Sequence, residues 1–298
     1  MAVGLSDTES PSPPLLQVPP VKLAALAAPA TVAPAALEST TADKPAPRYA
    51  ALMQDTPTAI DVPAVKPEGG RAPAFCAPRL SLLPAPAQSV TAILRAPCHA
   101  GRPVTFDHAG IRFTLRLDAG GRLQIRIPAL ESPARVTARL EDGLTASAQR
   151  NVAGLGRVAR VALSWPGGVE LNLRAREAIL RRVAQSDVWQ GAPRSPAEAL
   201  REGGGYLIAL GEPAAEGHLA EIYSWPLRRQ DRRRIVPLVL ELVTGPGNCR
   251  RPVRVTAVYA DRPRRPERRV VVIANRRCAP GGIVLRNDGL RDLRLAGN

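Results

Sequence analysis

The chain has 298 residues, 45% of them hydrophobic, and a formal charge of +15, a length that suits about two domains of roughly 100–200 residues each. No stretch approaches the ~20 apolar residues that a transmembrane helix needs. Aromatic residues make up only 3%, which leaves little for the stacking surfaces that nucleic-acid binders interleave with their basic residues.

Residues 1–73 hold 13 of the 31 prolines, spaced mostly by Ala, Ser, Thr and Val. Proline fixes φ and removes a backbone donor, and alanine buries too little surface to offset the entropy of ordering. The segment is expected to be a disordered Pro/Ala-rich arm or linker. Its five basic residues (Lys22, Lys44, Arg48, Lys66, Arg71) face seven acids. The positive excess therefore lies in 74–298, where lysine is absent and arginine supplies the charge. Two readings of those arginines stand side by side: forks for phosphate or carboxylate, or the codon bias of a GC-rich genome.

A secretory signal needs a basic start, an unbroken apolar run and a small-residue cleavage site. The opening MAVGLSDTESPSPP has no basic residue, and the apolar Leu23–Leu37 is interrupted by Pro29 and Pro34. Taken literally the chain is unsecreted and cytoplasmic. Translation from upstream of Met1 would add a signal or anchor and place the protein in the periplasm or on a membrane.

After the arm, period-two alternation takes over. Val90, Ala92 and Leu94 point to one face of a strand beginning at Ser89. Ile111, Phe113, Leu115 and Leu117 alternate with polar residues, Asp118–Gly121 makes a turn, and Leu123, Ile125 and Ile127 continue, which predicts a β-hairpin. With a strand at Val136–Gly143 this gives a small β-sandwich-like domain over 74–148. A second hairpin is expected at 157–177, where Val158, Val161, Leu163 and Trp165 precede Pro166-Gly167-Gly168 and Val169, Leu171 and Leu173 follow. Ser195, Pro196 and Glu198 form a capping signature for a short helix at 195–202. Strands follow at Tyr206–Gly211, Leu219–Trp225, Ile235–Val243, Val253–Ala260, Arg269–Asn275 and Gly282–Asn287. The fold class is all-β: two antiparallel sandwich-like domains, the second over 152–298.

Cys76 and Cys98 lie close in sequence around strand-like residues, as do Cys249 and Cys278. An even number of cysteines in two local pairs is the pattern of structural disulfides, which persist in oxidising compartments. A metal site built from Cys76, Cys98 and His99, or unpaired buried thiols, are the alternatives. No C-x-x-C, Walker loop, Rossmann glycine pattern or nucleophile elbow occurs, so no cofactor and no catalytic residue is assigned. Gly203-Gly204-Gly205 lacks the strand and helix of a phosphate cradle. His218, with Glu216 and Glu221, invites an acid–base or metal reading, but H-x-x-E before a strand lacks the helix of a zinc protease. His108 at a turn reads as structural. Two runs could contact a polyanion: Arg228, Arg229, Arg232, Arg233 and Arg234, then Arg262, Arg264, Arg265, Arg268 and Arg269. Both also read as solvated loops between strands.

Cys76 and Cys98 in a C…APC arrangement, the H-x-G-x-x-F of His108, Gly110 and Phe113, and the D-x-x-G of Asp118 and Gly121 resemble an uncharacterised family of alphaproteobacterial envelope proteins. VALSWPGGVELNLRARE, AEIYSWP and Cys249 with Cys278 resemble its second half. The likeness spans about residues 74–290. It implies an N-terminal anchor or signal ahead of extracytoplasmic β domains. Some members are labelled translocase; no activity is established for the family, and no catalytic residue transfers.

Three functions follow. The first is a non-enzymatic extracytoplasmic β protein with a binding or structural role at the cell envelope, its partner an unknown envelope protein or polyanion. The second is an Arg-rich polyanion or nucleic-acid binder. The third is an enzyme of unrecognised type using His218 and a nearby carboxylate.

Overall fold

Sequence alternation locates strands, and the computed structural model shows where each one begins, ends and pairs. It describes residues 75–177, 187–213, 216–228, 231, 234–245, 248–261, 265–274, 283–286 and 289–295, with backbone only for 283–286. The arm expected over 1–73 lies outside them. The described residues fall within one compact unit, Lys66–Asn298.

The protein is all-β and antiparallel. Strands β1 (Arg79–Ala85), β2 (Ser89–Arg95) and β5 (Arg122–Pro128) form one sheet. β4 (Ile111–Arg116), β3 (Pro103–His108), β6 (Ala134–Leu140) and β7 (Thr145–Arg150) form a second, in that spatial order. Their inner faces meet over Val90, Leu94, Ile127, Phe106, Phe113 and Val136. Phe106 and Phe113 stack at 5.3 Å between ring centroids; full burial of each ring contributes about 1.5–3 kcal/mol.

Beyond β7 a five-stranded sheet takes the order β10 (Tyr206–Leu210), β11 (His218–Pro226), β8 (Val158–Pro166), β14 (Val253–Ala260), β15 (Glu267–Ile273). A sheet of β16 (Ile283–Arg286), β13 (Leu238–Val243) and β9 (Leu171–Ala175) covers one face, with the short pair β12 (Arg234–Val236) and β17 (Leu293–Leu295). Leu163, Trp165, Leu173, Tyr223, Leu240 and Val255 belong to the core between them. The one α-helix among the described residues, α1 (Pro196–Glu202), starts with a complete capping box: the Ser195 hydroxyl accepts from the Glu198 amide at 3.2 Å, and the Ser195 amide donates to Glu198 at 2.6 Å.

Both expected hairpins are corrected. β4 pairs with β3 and β5 with β2, so Asp118–Gly121 carries the chain between sheets and not between paired neighbours. β8 pairs with β11 and β14, while β9 pairs with β13, so Pro166-Gly167-Gly168 is a second corner of the same kind. The turn chemistry was right and the partner was not. A hairpin does form one strand earlier, where His108 pairs with Ile111 across Ala109 and Gly110, both at positive φ (53° and 87°). Pro237, which has no N–H to donate, splits the single strand expected at 235–243 into β12 and β13.

The other face of the five-stranded sheet is also covered. Ala162, Ala220, Ile222 and Val258 join the core of the first pair of sheets. Strand β4 is the edge of its sheet, and side chains cap its outward backbone groups as edge strands require. Ser164 Oγ accepts from the Arg112 amide at 3.2 Å and donates to the Arg112 carbonyl at 2.7 Å. Glu212 accepts from the Arg116 amide at 3.1 Å.

Arg160 completes this junction. It is fully buried on β8. Its Nε donates to Ser224 Oγ, Nη1 to the carbonyls of Gln88 and Ala129, and Nη2 to the carbonyl of Ala87 and the Tyr206 hydroxyl, at 2.6–3.3 Å. Burial lowers its pKa, opposed by Tyr206. His108 is buried too: Nδ1 donates to the Arg135 carbonyl at 2.8 Å and Nε2 accepts from the Leu130 amide at 2.9 Å. That arrangement needs the neutral ring, and burial holds its pKa down.

Candidate functional site

Cys76 and Cys98 form a disulfide with Cα atoms 5.2 Å apart. Cys98 sits in the 3-10 turn Pro97–His99 that follows β2, so the bridge ties the approach to β1 onto the end of its partner strand. Cys249 is also disulfide-bonded; Cys278, its expected partner, lies outside the described residues. Among the described residues no three of His, Cys, Asp and Glu converge as a metal site requires, and no helix is long and apolar enough to cross a membrane.

The described members of the two arginine runs take different roles. Arg228 donates to the Leu200 carbonyl in the last turn of α1, where a cation satisfies an orphan acceptor. Its own amide donates to Asp231, which also accepts from Trp225 Nε1 at 3.1 Å. Arg234 stands 3.9 Å from the same carboxylate. Arg269 pairs with Glu267 at 2.5 Å. Arg265 and Arg268 are exposed and make no ion pair among the described residues. Arg229, Arg232, Arg233, Arg262 and Arg264 lie outside them. The most integrated arginine nearby is one that motif reading missed: Arg291 forks onto Asp261 at 2.7 and 3.2 Å and lies 4.2 Å over the Tyr259 ring. Nothing in its flanking sequence marked it.

His218 and Glu221 do not come together. They are three residues apart on β11, and an odd spacing in a strand sends side chains to opposite faces. His218 turns toward β4, where its amide donates to Thr114 Oγ1 at 3.1 Å and the Arg112 charge adds to burial in lowering its pKa. Glu216 is exposed.

Glu221 faces the other way, into a cavity of 540 Å³ at the end of the second sandwich. The corner Gly168–Leu171, the end of β10 at Ala209–Gly211 and the start of β11 enclose it. Trp165, Val169, Leu210 and Leu219 supply apolar wall, and Trp165 is fixed by its Nε1 donating to the Val169 carbonyl at 3.0 Å. Glu221 is only 2% exposed. Its Oε2 accepts from the outward amide of Leu173 on edge strand β9 at 2.6 Å. Burial, with the Glu241 charge adding and the Leu173 amide opposing, pushes its pKa up to about 7. Glu241 itself is held by Arg174 at 2.5 Å, and Arg174 lies 4.4 Å over Trp189.

A second buried carboxylate serves the fold. Glu177 accepts from the Gly205 amide (2.7 Å), the Tyr223 hydroxyl (2.8 Å) and Arg194 (3.0 Å). These bonds staple the segment after β9 to the triple glycine, which is thereby a structural loop. At Gly205 a Cβ would come within 2.4 Å of the Tyr223 ring, so only glycine fits.

No family model matches the chain, and no curated protein matches it at a significant level.

Proposed function

We propose that this chain is a non-enzymatic extracytoplasmic β protein that binds a partner or ligand at the cell envelope. The Cys76–Cys98 disulfide carries the reading, because such bonds persist in oxidising compartments and are rare where thiols are kept reduced. The oxidised state of Cys249 and the resemblance to alphaproteobacterial envelope proteins support it. The test is peptide mapping under non-reducing conditions on protein recovered from its native host. A linked Cys76–Cys98 peptide is the expected product. Free thiols at both positions would place the protein in the cytosol and remove the reading.

A second reading, a polyanion-binding surface, is favoured by Arg265 just before β15 and Arg268 within it, both exposed and neither in an ion pair among the described residues. Arg268 runs along the β3–β4 turn, its guanidinium 3.2 Å from where a Cβ on Gly110 would stand. On immobilised heparin, Arg265→Ala with Arg268→Ala should lower the eluting salt concentration. Phosphate-like contacts of this kind weaken steeply between about 50 and 200 mM salt. Unchanged elution removes the second reading without touching the first.

A further inference from the structure

The cavity beside Glu221 is lined in a way the fold does not require. Its 540 Å³ lies within the roughly 300–1,000 Å³ of small-molecule sites, which combine apolar walls with a few placed polar groups. Here the polar groups are two carboxyls and one amide: Glu221, the exposed Glu170, and Gln190. Among the described lining residues there is no arginine, in a chain that carries 41 lysines and arginines. An anion entering would meet two acids and no compensating cation among them.

Glu221 is also incompletely used. One carboxyl oxygen takes the Leu173 amide, while Oε1 has no hydrogen bond among the described residues although the side chain is almost wholly buried. Oε1 is not among the buried polar atoms left without a partner, so it opens onto the cavity and can accept from what occupies it. The groups nearest are fixed elsewhere: Glu241 on β13 is paired with Arg174 on β9, and Trp165 Nε1 is committed to Val169. Among the described residues none donates to Oε1, which leaves it to whatever fills the cavity, water or ligand.

We propose that this cavity binds an organic ammonium ion with an apolar body, its N–H donating to Glu221 Oε1 and its hydrocarbon lying against Trp165, Leu210 and Leu219. Glu170 adds a second negative charge to the lining and steers the cation inward. The assignment deepens the binding reading given above and rests on it. Binding selects the ionised form of Glu221, so affinity rises with pH through neutrality, in the field of Glu170, Glu241 and Arg174.

The test is calorimetric titration of the full chain at pH 8 with three probes of one length: hexylammonium, 1-hexanol and hexanoate. Hexylammonium should bind at least tenfold more tightly than hexanol, with hexanoate weakest. In Glu221→Gln, which keeps an acceptor for the Leu173 amide, the preference of ammonium over alcohol should vanish while hexanol still binds. Equal binding of ammonium and alcohol by the native chain overturns the assignment yet leaves a ligand-binding cavity. A preference that survives in Glu221→Gln overturns it as well. Binding of none of the three removes both the assignment and a ligand-binding role for the cavity, while disulfide mapping still decides the envelope compartment.

Discussion

Replacing Arg160 by Met is expected to lower folding stability by about 4 kcal/mol, a large share of the roughly 5–15 kcal/mol of a typical domain. Methionine fills much of the arginine stem's volume, so the loss reflects the guanidinium and not a cavity. Among the described residues no carboxylate bonds that guanidinium; its five contacts are two hydroxyls and the carbonyls of Ala87, Gln88 and Ala129. The hydroxyls can turn to other partners. The carbonyls belong to the backbone and cannot be replaced, and each left bare costs about 1–3 kcal/mol. Met spares the protein the desolvation of a buried ion, several kcal/mol, but five charge-assisted bonds at about 1.5–3 kcal/mol each outweigh it. The β1–β2 turn depends on the same contacts, since Ala87 and Gln88 hold positive φ (56° and 49°) without being glycine, a conformation L residues rarely adopt. Arg160→Lys, with three donors on a shorter stem, should fall between. Guanidinium unfolding midpoints measure both, and a loss below about 1 kcal/mol for Arg160→Met would show that the junction does not need the arginine.

Arg160 also shows what could and could not be read from the residues. On β8, Val161, Leu163 and Trp165 of the expected apolar set lie in one core together with Ala159, while Val158, expected with them, is buried outside it. The intervening Arg160, Ala162 and Ser164 look like a solvent face because they are small or polar. They are buried as well, since a second layer of sheet covers them and their polar atoms find partners in β4, β11 and the β1–β2 turn. Alternation reports one buried face and is silent when the other is covered by polar-tolerant contacts. The two misread hairpins have a related cause. Period two and a glycine turn locate strands and a reversal of direction, but a four- or five-residue corner can equally cross from one sheet of a sandwich to the other. Only long-range pairing decides, and that information is spread over β2 and β13, remote in sequence. The Cys76–Cys98 bridge was legible because its two ends are local. The cavity was not: Glu221 stood out only as a neighbour of His218, and strand geometry separates the two. Its other walls come from four segments between Trp165 and Leu219.

Stability should fall as pH rises from about 5 to about 8, and Glu221→Gln should flatten that slope. The native carboxyl titrates at about 7 against an ordinary 4.5, raised first by burial and then by Glu241. Between those values the folded chain holds a proton that the unfolded chain has released. The native state binds more protons, so the derivative of unfolding free energy with pH is negative there. The contribution is fully present below the unfolded value and lost as pH passes through the folded one. Its size is on the order of 3 kcal/mol. Glu177, also raised by burial, adds a slope of the same sign. His108 and His218, both lowered by burial, oppose it over the window below 6.5, where the unfolded chain takes up the extra proton. The comparison of native chain and variant cancels these common terms. Gln resembles the neutral acid and still accepts from Leu173, so the two proteins should be about equally stable near pH 5. Near pH 8 the variant should be the more stable, by on the order of 2–3 kcal/mol. Urea unfolding at half-unit intervals gives both curves. Parallel curves would mean that the ionised Glu221 meets enough water in the cavity to lose its penalty, and that the carboxylate there is solvated in the empty protein.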